Sequence, residues 1–174
     1  MALKFVQNEI RYLGLESGIG AYKPFKPNKV FTQRYGDCKD KSWLLVNMLR
    51  EMKIEAYPVL INSIYGKSLG DFLPTPNAFD HVIVKVIDST KTNRFFDPTI
   101  SNQEGSFDNI SIPNYGNGLV LKKGNAALEV IENTNEDLVE IFDTFTINGI
   151  GNDMTLNVVS VYNCLLYTSP SPRD

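Results

Sequence analysis

Tyr35-Gly36-Asp37-Cys38-Lys39-Asp40-Lys41 sets a Gly-Asp break directly before a cysteine, and beyond it Leu45, Leu49 and Met52 recur on the stripe that Cys38 opens. That spacing predicts an amphipathic helix from Cys38 to about Met52. Asp37 is placed to cap it, and Asp40, three residues on, completes a capping box with Asp in place of the usual Glu. The thiol therefore belongs to the first turn. Unpaired backbone N–H groups and the positive end of the helix dipole favour a thiolate there. The competing assignment is a small buried hydrophobe on a core-facing stripe. A core cysteine, however, has no need of a capped helix start.

Working outward, His81 is the only histidine of the chain. It opens His81-Val82-Ile83-Val84-Lys85-Val86-Ile87, a strand by its β-branched content. Asp88 to Asn93 holds turn formers, and Arg94-Phe95-Phe96-Asp97 reads as the returning strand. Direct pairing of His81 with Asp97 would centre the turn on Ser89, inside the expected loop. A two-residue shift of register would make them diagonal neighbours on the same face. Pro98 then ends the second strand immediately after the carboxylate. Cys38, His81 and Asp97 are thus the parts of a nucleophilic site: a thiol, an imidazole to share its proton, and a carboxylate to fix the imidazole's tautomer.

These three motifs, Tyr35 to Lys41, Asp80-His81-Val82 and Phe96-Asp97-Pro98-Thr99, resemble those of the transglutaminase-like superfamily, in particular the bacterial core domains found in larger multidomain proteins. The upstream Val6-Gln7-Asn8-Glu9-Ile10-Arg11-Tyr12-Leu13-Gly14 and Gly18-Ile19-Gly20-Ala21-Tyr22-Lys23-Pro24 are similar to the way that core begins. The resemblance covers about residues 4 to 123. It implies an α+β, papain-like core with the nucleophile helix packed on an antiparallel sheet, Cys38 as nucleophile, His81 as base and Asp97 as orienting carboxylate. The superfamily includes crosslinkers, proteases and amidases, so the motifs identify a fold more closely than a reaction.

The expected chemistry is acyl transfer or hydrolysis on a protein or peptide amide, through a thioester on Cys38. The Cys38 backbone N–H is one candidate oxyanion donor and Gln33 a second. The alternative is an inactive binding or scaffold module on the same fold. A metal site is the weakest option, because one histidine and no Cys-x-x-Cys pair offer no ligand spacing. No metal and no cofactor are expected.

The composition is 43% hydrophobic and 21% charged, ordinary for a globular protein, and one core fits 174 residues. A net charge of −3 without a basic stripe argues against nucleic-acid binding. No apolar run reaches membrane-spanning length, and the N-terminus lacks the apolar stretch of a signal peptide. Address and oligomeric state are not encoded in any feature of this sequence.

Along the chain, residues 3 to 14 predict an amphipathic helix, followed by a Gly- and Pro-rich loop through Asn28. Residues 55 to 61 predict a strand, with Pro58 pointing to an edge or a bulge. The long loop from Asn62 to Phe79 leads into His81, so Tyr65, Phe72 and Leu73 are candidate substrate-rim residues. Leu119-Val120-Leu121 is expected to close the core sheet, making residues 1–124 the core. Strand-like segments at 128–133, 138–147 and 154–162 suggest that residues 125–163 begin a separate β module, cut short in a fragment of a longer protein, for which a secreted or periplasmic address stays open. The ending 164–174 continues no strand pattern and is set aside as a disordered or artefactual tail that includes Cys164.

Overall fold

The structure, a computed structural model, describes all residues except 15–17, 102, 104–109, 111, 132–137, 150, 152 and 164–174. Helix α1 (Ala2–Glu9) is shorter than the apolar spacing predicts, because Ile10 turns extended (φ −109°, ψ 105°). The chain then enters β1 (Arg11–Tyr12). Helix α2 (Pro27–Gln33) starts on a proline and stops where Arg34 takes a left-handed conformation (φ 63°). Strand β2 (Tyr35–Gly36) pairs in parallel with β1, placing Tyr12 opposite Gly36. Local periodicity favoured more helix at Arg11 to Gly14. Tertiary pairing won, with Arg11 N–H donating to the Arg34 carbonyl (2.8 Å) and Leu13 N–H to that of Gly36 (3.0 Å).

Helix α3 (Cys38–Glu51) follows at once, within one residue of the predicted end. Beyond it come β3 (Glu55–Ile61), β4 (His81–Ile87), β5 (Asn93–Phe96), β6 (Asn117–Val120) and β7 (Leu128–Val130), which form one antiparallel five-stranded sheet in the order β5-β4-β3-β6-β7. The molecule is therefore a mixture of helix and antiparallel sheet, as expected. Strand β3 is nevertheless central, so the edge expected from Pro58 is corrected. Its carbonyl faces Leu121, whose N–H donates to it at 2.9 Å, while the β3–β6 ladder begins at Val59. The N–H that proline lacks would point to the same side, toward Leu121, so this pair at the end of the ladder keeps one of its two hydrogen bonds.

Both faces of the sheet are covered. Ala56, Val84, Val86 and Phe96 pack with Leu44, Leu45 and Val46 of α3 and with Val6 and Ile10. On the other face Val59, Ile61, Ile83 and Val120 pack with Ile112, Tyr115 and Ile131. This corrects the boundary at Gly124. The segment expected to open a second module instead supplies β7, and Ile131, 2% exposed, closes the core with its N–H on the Gly116 carbonyl (2.7 Å). Strands β8 (Leu138–Ile147) and β9 (Met154–Asn163) form a separate antiparallel pair, in register from Leu138↔Asn163 to Ile147↔Met154. The tail 164–174, with Cys164, lies outside the described residues.

Candidate active site

The start of α3 is built as the sequence predicts. The Asp37 carboxylate accepts from the Asp40 N–H and the Asp40 carboxylate from the Asp37 N–H, both at 3.2 Å. Lys39 pairs with Asp37. Asp40 is 1% exposed, and burial raises its pKa against the N–H bonds that it accepts from Phe25 and Asp37. Gly36 is required sterically: a Cβ there would lie 2.6 Å from that of Asp40. Ser42, one turn beyond Cys38, donates to the Val82 carbonyl (2.8 Å) and so fastens the helix beside His81.

His81 and Asp97 meet. The observed register, Val84↔Phe96 and Lys85↔Phe95, centres the hairpin turn on Thr90, so Asp97 is the diagonal and not the direct neighbour of His81. Their side chains bond at 2.8 Å between Nε2 and Oδ2. Asp97 is 1% exposed and heavily supported. Thr99 donates to Oδ1 from its backbone N–H (2.8 Å) and its hydroxyl (2.6 Å), and the Tyr115 hydroxyl donates to Oδ2 (2.6 Å). Burial works to raise the Asp97 pKa, but the bonds and charge of His81, with Thr99 and Tyr115, hold it below the usual carboxylate value.

Cys38, partly exposed, completes the arrangement as a side-chain hydrogen-bonding partner of His81. With Nε2 on Asp97, the imidazole has Nδ1 for the sulfur. Burial pulls the His81 pKa down. Hydrogen bonds to Asp97 and Cys38, and their charges, outweigh that effect and raise it to about 10. The site thus favours an imidazolium over a wide pH range, held between a carboxylate and a thiol.

Two tyrosines enter that the sequence motifs do not single out. The Tyr12 hydroxyl also hydrogen-bonds Cys38, and its pKa is raised by burial, by the charges of Cys38 and Asp37, and by that bond. Its position follows from the β1–β2 pairing, which only the folded chain forms. Tyr115 lies in a Gly- and Asn-rich stretch that reads as a turn. Its burial and its bond to Asp97 push its hydroxyl pKa well up, so it stays a donor. Gln33, expected as an oxyanion donor, gives an amide N–H to the Tyr35 carbonyl two residues on (2.8 Å).

The loop before His81 is closed at its neck. Asn62 accepts from the N–H groups of Ile64 (3.0 Å) and Tyr65 (2.7 Å) and donates to the Ala78 carbonyl, while Asp80 takes both the N–H and hydroxyl of Ser63. Two 3₁₀ turns, Gly66–Asp71 and Pro76–Ala78, fill it. A Cβ on Gly66 would come within 1.8 Å of the Tyr115 carbonyl oxygen, so only glycine lets the loop lie against the residue that holds Asp97. Tyr65, Phe72 and Leu73 are all exposed, with the rings of Tyr65 and Phe72 6.2 Å apart.

Among the described residues no group of three or more His, Cys, Asp and Glu is placed to hold a metal ion, and no helix is long and apolar enough to cross a membrane. Comparison of the chain with protein-family models, with curated proteins and with solved structures finds no match.

Proposed function

We propose that this chain is a transglutaminase-like, papain-like cysteine enzyme that transfers or hydrolyses the acyl group of a protein or peptide amide. One observation carries the proposal: a thiol at a capped helix start shares a hydrogen bond with a histidine whose other ring nitrogen is bonded to a buried aspartate. The Cys38 sulfur attacks the carbonyl carbon, forming a C–S bond. The His81 imidazolium gives its Nδ1 proton to the amide nitrogen as the C–N bond breaks, and the amine leaves a thioester behind. Water or a second amine then attacks, passes its proton to the now neutral His81, and returns the thiolate.

Asp97 keeps the Nε2 proton in place and supports the imidazolium through both steps. Negative charge developing on the carbonyl oxygen beside the sulfur is met by the Cys38 backbone N–H and by the Tyr12 hydroxyl, which already hydrogen-bonds the sulfur. Tyr65, Phe72 and Leu73, on the loop that ends at His81, offer apolar contact to the substrate.

Alkylation by iodoacetamide as a function of pH tests the thiol. Incubating a glutamine peptide with a fluorescent primary amine, and following both amine incorporation and ammonia release, tests the reaction. Wild-type protein is expected to alkylate at pH 6 faster than its own urea-unfolded form and to act on the peptide. His81→Ala should lose about 10²-fold or more of both. Equal alkylation of folded and unfolded chains, with no product, would overturn the proposal.

A further inference from the structure

Lys41 lies one turn beyond Cys38 on α3 and is fully buried. Its ammonium donates to the carbonyls of Gln7 (3.2 Å) and Ile10 (2.7 Å), at the C-terminal end of α1 where the helix leaves acceptors unpaired. Burial pulls its pKa down to about 8 against the attraction of Asp97, so near neutral pH it remains a cation beside that carboxylate. Gln7, 2% exposed, is the other half of the arrangement. Its side-chain amide donates to the Asp97 backbone carbonyl (3.0 Å) and to the Gln103 side chain (2.8 Å).

A closed circuit results. Cys38 and Lys41 share a helix, Lys41 clamps α1, Gln7 of α1 grips the backbone of Asp97, and Asp97 returns through His81 to Cys38. Among the described residues, Tyr12, Asp37, Asp80 and Tyr115 also act electrostatically on this cluster. Burying a lysine is costly unless it is bonded, and a well-packed apolar residue could join α3 to α1 without that cost.

We propose that Lys41 and Gln7 are positioning residues that hold the Asp97 carboxylate at its distance from His81, so that α1 belongs to the machinery of the site. The role in catalysis rests on the function proposed above; the effect on the His81–Asp97 bond does not.

The test is NMR of the full chain with labelled histidine, because the single imidazole reports His81 without assignment. Its titration and the solvent exchange of its Nε2 proton are recorded for wild type, Gln7→Met, Lys41→Met, the double variant, and Leu45→Ala as a core control whose side chain makes none of these hydrogen bonds. Gln7→Met should lower the His81 midpoint by about one pH unit and speed Nε2–H exchange about threefold to tenfold. Lys41→Met should speed exchange too, and the double variant should be no faster than Gln7→Met alone, since Lys41 acts through α1. Leu45→Ala should lower the melting temperature and leave the titration unchanged. If either methionine variant fails to fold, Gln7→Asn and Lys41→Arg take its place, each keeping the polar group at a length that misplaces it. Titration and exchange equal to wild type, or shifts matched by Leu45→Ala, would overturn the proposal. Iodoacetamide alkylation of the same samples separates the two ideas. A wild-type thiol no faster than the unfolded chain, with the expected response at His81, refutes the enzymatic function and leaves the clamp standing.

Discussion

The β4–β5 hairpin and the β8–β9 hairpin are both rich in β-branched and aromatic residues, yet their side chains end in opposite environments. In the first, Ile83, Val84, Val86 and Phe96 are at most 4% exposed, because helices cover one face and Ile112 and Tyr115 the other. In the second, register puts Ile141, Phe145 and Ile147 on one face with Met154, Leu156 and Val158, and all six are exposed. Pairing satisfies the backbone in both. Only a second layer of packing removes apolar side chains from water, and a two-stranded ribbon cannot provide that for itself. His81 and Asp97 sit on the hairpin that has the second layer, which is what keeps Asp97 buried and its geometry constrained.

The largest effect expected from attacking that difference is at the site itself. Cys38→Ser should abolish alkylation by iodoacetamide at this position and any acyl transfer, with a loss of roughly 10³-fold or more in rate, while thermal unfolding moves little. Loss of the fold in this variant would show that the thiol is a packing group.

Next comes a paired core test. Ile131→Ala should cost about 2–4 kcal/mol by urea titration, because it opens a cavity against Ile61 and Gly118. Phe145→Ala on β8 should cost less than about 0.5 kcal/mol. Equal costs would mean that β8–β9 and the five-stranded sheet unfold as one packed unit. In the same spirit, a chain ending at Ile131 should keep rapid Cys38 alkylation, whereas one ending at Gly124 loses β7 and should unfold.

Tyr115→Phe should cost about 1–3 kcal/mol, since it takes one donor from a buried carboxylate. Alkylation should also become less tolerant of high pH as His81 is held less firmly.

The last effect is spread over the pH profile of stability and is small near neutrality. His81 has a folded pKa of about 10, above its unfolded value, so its contribution is complete below about pH 6.5 and is lost as pH rises through about 10. Asp97 is depressed, so its contribution is present above about pH 4 and is lost as pH falls below that. Melting temperature should therefore fall at both ends. His81→Gln should flatten the alkaline fall; an unchanged alkaline limb in that variant would remove the ion pair as its source.

The sites where sequence pattern and structure agree are those with local causes. Asp37 and Asp40 cap their own helix, the apolar spacing after Cys38 makes that helix amphipathic, and the β-branched run at His81 makes a strand that must turn before Arg94. Where they part, the cause is distant in sequence. Arg11 and Tyr12 leave α1 to pair with Tyr35 and Gly36, Pro58 sits inside a sheet because the neighbouring strand ends beside it, and Leu128–Val130 joins the sheet beyond Leu119-Val120-Leu121, the strand expected to close it.

The sequence by itself determined that a cysteine would open a capped helix and that a histidine and an aspartate would lie on one hairpin, because caps, turns and alternation act over a few residues. Tertiary structure alone decided which groups support them. Tyr12, Tyr115, Gln7 and Lys41 reach the cluster through contacts between separate elements, and whether a buried lysine or glutamine is tolerated depends on acceptors and donors contributed by other parts of the chain.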